Sequence, residues 1–71
     1  MIIENTSDSN QRRIYESRPG VWAIFIRHRL TDKGVFPELW SYWSWFGNAP
    51  SEADARAKHD EKLRNKNGRQ Q

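Results

Sequence analysis

The sequence has no cysteine, which excludes disulfide staples and thiolate-held zinc. It has no apolar run approaching the roughly 18 residues that a membrane-spanning helix needs. Only 35% of the 71 residues are hydrophobic and the mean hydropathy is −1.05. That is near the lower limit for burying a core, so one small domain is the most this chain supports. The opening stretch, Met1 to Asp8, lacks the basic and long apolar segments of a secretory leader, and the reading is a soluble, cytoplasmic protein with no membrane partner. Signatures of chemistry are missing too. His28 and His59 stand alone, without a carboxylate or imidazole at metal-ligand spacing. No nucleophile has a visible base, and no glycine-rich loop is built to cradle phosphate. The expectation is therefore no metal, no cofactor and no enzyme activity.

What is present is basic charge and aromatic bulk, unevenly placed. The net charge is +3, yet residues 12–34 alone hold six bases against two acids. All nine aromatic residues lie between Tyr15 and Phe46. Large aromatic side chains dominate the energetics of small cores, so this middle stretch is the part expected to fold. The flanks, 1–11 and 66–71, are polar and read as flexible tails around a single domain over 12–65.

Val21 to Leu30 (VWAIFIRHRL) is rich in β-branched and aromatic residues and predicts a strand. Alternation puts Trp22, Ile24, Ile26, His28 and Leu30 on one face, with Val21, Ala23, Phe25, Arg27 and Arg29 on the other. A short strand over Arg12–Arg18 should precede it, ending at Pro19-Gly20. A third should follow the Thr31–Gly34 turn, within the aromatic run from Phe36 to Phe46 and regular from about Glu38. Trp40, Tyr42, Ser44 and Phe46 then share one face, and Leu39, Ser41, Trp43 and Trp45 the other. Gly47-Asn48-Ala49-Pro50 should break the sheet. Ser51 is a suitable N-cap for a helix over about 52–65, with Asp54 three residues on.

The predicted fold class is α+β, a three-stranded antiparallel sheet packed on one C-terminal helix (β-β-β-α). Trp22, Ile24, Ile26 and Phe46 should form its core against Ala53, Ala55 or Ala57. One helix covers one sheet face. The other, holding Phe25, Arg27, Arg29, Trp43 and Trp45, is left open and is the candidate binding face.

The segment Trp45-Phe46-Gly47-Asn48-Ala49-Pro50-Ser51, with Asp54-Ala55 and His59-Asp60, resembles the strand-to-helix run of the plant ethylene-response (APETALA-type) DNA-binding domain. Arg18-Pro19-Gly20-Val21-Trp22-Ala23-Ile24-Phe25-Ile26-Arg27 is similar to that family's first core strand, with one residue missing. The chain looks equally like the arm-site-binding module of bacterial and phage integrases. The resemblance spans roughly residues 12–60 and implies a three-stranded sheet laid in the major groove of duplex DNA. Carried over by position, it nominates Arg13, Arg18, Arg27 and Trp45 as contacts, with Trp43 where the family usually has arginine. Phe25 stands where a polar contact is usual, and Ala49 where the family has a core phenylalanine. Lys58 and His59 replace an Ala-Tyr pair.

Two functional classes follow. In the first, the chain is a DNA-binding accessory or regulatory module, and Arg13, Arg18, Arg27, Arg29, Trp43 and Trp45 contact phosphates and base edges. In the second, it is a phage or mobile-element protein that binds and inhibits a host protein through Phe25, Trp43 and Trp45, since tryptophan and arginine also dominate protein hot spots. A homodimer burying the open face is a third. Arginines on open strands also discourage sheet-to-sheet aggregation, and tryptophans in small proteins are usually core.

Overall fold

The computed structural model describes residues 2–68. Its elements are β1 (Ile2–Ser7), β2 (Asn10–Arg18), β3 (Val21–His28), β4 (Ser44–Ala49) and α1 (Glu52–Gly68). The strands form one antiparallel sheet in chain order, β1-β2-β3-β4, with α1 across one face. The principal extents of 39 × 35 × 15 Å are those of a two-layer slab. No helix of the described residues is long and apolar enough to cross a membrane.

The α+β class with a single C-terminal helix is as the sequence predicts, but the sheet has four strands rather than three. The additional strand, β1, comes from the stretch read as an N-terminal tail. Its propensity is modest, and tertiary partners make the difference. Ile2 lies opposite Ile14 and Glu4 opposite Arg12, and Ile2, Glu4 and Thr6 are half-covered while the residues between them are exposed. The turn into β2 is closed by the Ser7 hydroxyl, which accepts from the Ser9 amide at 3.3 Å and the Asn10 side chain at 2.8 Å.

The β2–β3 hairpin turns at Pro19-Gly20, with Gly20 at φ +78°, a conformation that glycine adopts without steric cost. β4 departs from expectation at both ends. Residues 29–43 form a loop with one isolated bridge, Arg29 to Trp40, and regular pairing starts only at Ser44. Pairing then runs through Gly47, Asn48 and Ala49, the residues expected to break it. Gly47 sits opposite buried Ile24, and a Cβ there would stand 3.1 Å from the Lys58 ammonium. The missing side chain lets Lys58 lie over the strand and donate to the Asn48 carbonyl at 3.0 Å.

Ile14 and Ile24 face each other across β2 and β3, both fully buried, and close on Ala55 of α1. Trp22, Phe46 and Ala49 pack around them. Of the expected core, Ile24 is central, Trp22 and Phe46 flank it, and Ile26 is half-buried. Ala55 is the alanine that meets the sheet; Ala53 and Ala57 are exposed.

Ser51 caps α1, its Oγ accepting from the Asp54 amide at 3.1 Å. The helix runs three residues beyond the predicted end, so the expected tail over 66–71 starts inside it. Residues 69–71, like Met1, lie outside the described residues.

Candidate functional site

The two sheet faces have opposite chemistry because β2 and β3 alternate in phase. Register puts Gln11 opposite Arg27, Arg13 opposite Phe25 and Tyr15 opposite Ala23, all on the face away from α1. Phe25 in turn pairs with Trp45. The aromatic loop folds over this face. The result is a ladder of guanidinium groups and rings in contact.

Arg13 Cζ lies 5.0 Å from the centroid of Phe25, 5.6 Å from Tyr15 and 4.8 Å from Trp43. Arg27 lies 4.4 Å from the centroid of Trp43 and 4.8 Å from that of Trp40. Arg29 continues the series at 5.9 Å from Trp40. Tyr15 and Phe25 stack with centroids 6.0 Å apart and planes at 13°. Each cation–π contact contributes about 0.5–2 kcal/mol, increasing with desolvation. Stacking of this kind fixes the rings while leaving guanidinium edges for other partners.

The arginines differ in what their edges do. Arg27 donates from Nε and Nη2 to Gln11 Oε1 at 2.9 and 2.7 Å, which leaves Nη1 without a partner among the described residues. Arg13 Nε is buried and has no nitrogen or oxygen acceptor among the described residues; ring faces lie close to its guanidinium instead. Arg29 is anchored in the loop. Its side chain is only 9% exposed, faces Glu38 at 3.7 Å and donates to the Thr31 carbonyl at 3.1 Å. Arg18 is exposed beside the β2–β3 turn, at the opposite end of the sheet from Trp40.

Trp43 and Trp45 both lie on the open side. Trp43 is half-buried between two arginines, while Trp45 is 61% exposed with its indole N–H directed at Asn48 Oδ1, 3.3 Å away. The outward positions Ile3, Asn5, Gln11, Arg13, Tyr15, Ala23, Phe25, Arg27 and Trp45 include no carboxylate. Positive charge on this face is therefore uncompensated within the strands. The ladder thus brings together Arg13, Arg27, Arg29, Trp43 and Phe25 of the expected residues, with Trp45 alongside and Arg18 apart. Trp40 and Tyr15 belong to the ladder and were missed. Tyr15 could have been found from its i+2 spacing to Arg13, whereas Trp40 sits in irregular chain that no periodicity describes.

The helix-covered face holds a different cluster. Arg12, 6% exposed, donates from Nε to Glu4 at 2.8 Å and from Nη1 to Asp60 at 2.6 Å and His59 Nδ1 at 3.1 Å. Arg56 bridges Glu4 at 3.0 Å and Glu52 at 3.1 Å. Hydrogen bonding from Arg56, then Arg12, holds the Glu4 carboxyl below its usual range against the opposing effect of burial. Burial and the Arg12 charge push the His59 imidazole down, with Asp60 opposing. Donation by Arg12 requires a lone pair on Nδ1, so the neutral ring carries its proton on Nε2. Phe46 meets that ring edge-on at 4.9 Å.

No family model, curated protein or solved structure matches this chain. The fold and site define a small four-stranded α+β domain, one sheet face covered by a helix and the other built of stacked arginine and aromatic side chains.

Proposed function

We propose that the protein is a non-enzymatic DNA-binding module of accessory or regulatory type, and that the open sheet face meets duplex DNA. The observation that carries this reading is the ladder: Arg13 and Arg27 are stacked between rings on a face whose strand positions hold no carboxylate. Stacking orients a guanidinium without neutralising it, and a phosphate or a guanine edge then accepts from its N–H groups. The resemblance to the ethylene-response-type and integrase arm-binding domains supports the same reading, with β1 an addition to that pattern. Arg13, Arg27 and Trp45 are the proposed principal contacts, Arg18 a peripheral phosphate contact, and Arg29 with Trp43 the supports of the ladder.

Fluorescence anisotropy with a duplex oligonucleotide across a salt series tests it. Log affinity should fall linearly with log salt, by about 0.9 per neutralised phosphate. Arg13→Gln or Arg27→Gln should each flatten the slope by roughly one unit. Trp45→Ala should weaken binding with the slope kept. Binding indifferent to salt, or a double Arg13→Gln, Arg27→Gln variant with unchanged slope, overturns the proposal.

A second reading, inhibition of a host protein through Phe25, Trp43 and Trp45, is favoured by one observation: Trp45 is 61% exposed and the nearby loop exposes Phe36, Leu39 and Tyr42. A stoichiometric, nuclease-resistant complex lost on Trp45→Ala would select it over DNA.

A further inference from the structure

Beside α1, at the His28 end of β3, lies a groove of about 440 Å³. Ile26, His28 and Ser44 line it from the sheet, Tyr42 from the loop, and His59 and Leu63 from the helix. This volume falls within the range of small-molecule sites, roughly 300–1,000 Å³. We infer that this groove is a binding site for a small aromatic carboxylate, its ring between Ile26, Tyr42 and Leu63 and its carboxylate accepting from His59.

Three observations carry this. The first is His59 itself, only 4% exposed and yet a wall of the groove. Arg12 occupies its Nδ1, so the proton resides on Nε2, which makes no hydrogen bond among the described residues. Second, the lining holds no carboxylate, whereas the Thr6 and Ser44 hydroxyls and the His28 ring offer further donors. An anion or acceptor suits that set and a cation does not. Third, Ile26, Tyr42 and Leu63 give the lining an apolar part suited to a ring, alongside His59, whose other nitrogen is held by the buried Arg12. The Arg12 bond to Nδ1 fixes which ring nitrogen donates. Gln11 and Arg27 of the ladder also line the groove, so it adjoins the face proposed to meet DNA, and Arg27 adds a cation to its lining.

The test is a two-dimensional ¹H–¹⁵N NMR titration of the full chain with benzoate, and in parallel with benzylamine, a cation of similar shape. Benzoate should give saturable shifts at Ile26, His28, Ser44 and Leu63, with little change at Arg13 or Phe25. Benzylamine should not. His59→Phe keeps the ring packing on Phe46 but removes the donor, and should weaken benzoate roughly tenfold, the value of one lost hydrogen bond. Leu63→Trp, at a half-buried helix position, fills the groove and should abolish the shifts in a protein whose spectrum remains dispersed. Equal response to both probes, shifts confined to the open face, or undiminished binding by Leu63→Trp would overturn the inference.

Discussion

Arg12 and Arg13 are neighbours in sequence and point to opposite sides of the sheet, and their surroundings give them different roles. Arg12 is enclosed by Glu4, His59 and Asp60 under the helix. Arg13 is enclosed by rings and faces outward. Removing one partner of a buried charge network leaves the others uncompensated, at a cost of about 3–5 kcal/mol. Arg12→Ala should therefore lower stability by about 3 kcal/mol in urea unfolding, whereas Arg13→Gln should lower it less and act mainly on binding. His59 adds a pH dependence. Its folded pKa lies below the unfolded value, so the unfolded chain binds the proton more readily and stability rises with pH. The contribution is complete above about pH 6.5 and is lost as pH falls through the depressed folded pKa. Glu4, also depressed, adds a second loss as pH falls through and below the usual carboxylate range. Urea midpoints measured from about pH 8 down to about pH 2.5 should fall in those two stages, and His59→Phe should remove the first.

The elements differ in how far their residues announce them. β3 is legible because Val21 to His28 is strand-forming throughout and its alternation matches the pleat. The start of α1 is legible because Ser51 caps it by a local bond to Asp54. β1 is not, since IIENTS acquires its strand character from partners distant in sequence. Glu4 becomes favourable only where Arg12 and Arg56 converge on it. The aromatic run misleads for a related reason. Trp40 and Trp43 read as strand residues, but they lie in a loop and both pack on Arg27. The seam of α1 is likewise hidden, because Glu52, Ala55, Arg56, His59 and Leu63 keep helical spacing while three of the five are charged or polar. Of the candidate site, the face and its members Phe25, Arg27 and Arg29 follow from alternation along β3 and the residue just past it. The stacking order depends on loop geometry. One prediction belongs to β1. Glu4→Gln removes the charge that both arginines share, so amide exchange in β1 should accelerate by tenfold or more, roughly, while the Ile14 and Ile24 amides remain protected.

At the scale of the molecule, two thin layers create two chemically distinct surfaces. Ile14, Ile24 and Ala55 join sheet to helix, supplemented by the Glu4–Arg12–Asp60 and Glu4–Arg56–Glu52 pairs. Because that polar network serves the covered side, the arginines of the open side do not hold the layers together. Substitutions there should separate binding from folding, and the central claim is that this face meets DNA. The most direct measurement is an NMR titration of the labelled protein with a duplex oligonucleotide at low salt, repeated at higher salt. The account predicts perturbations at Gln11, Arg13, Phe25 and Arg27 and at the indole N–H groups of Trp43 and Trp45, fading as salt rises, with α1 unmoved. Perturbations concentrated on α1, or a spectrum unchanged by DNA at low salt, would contradict it.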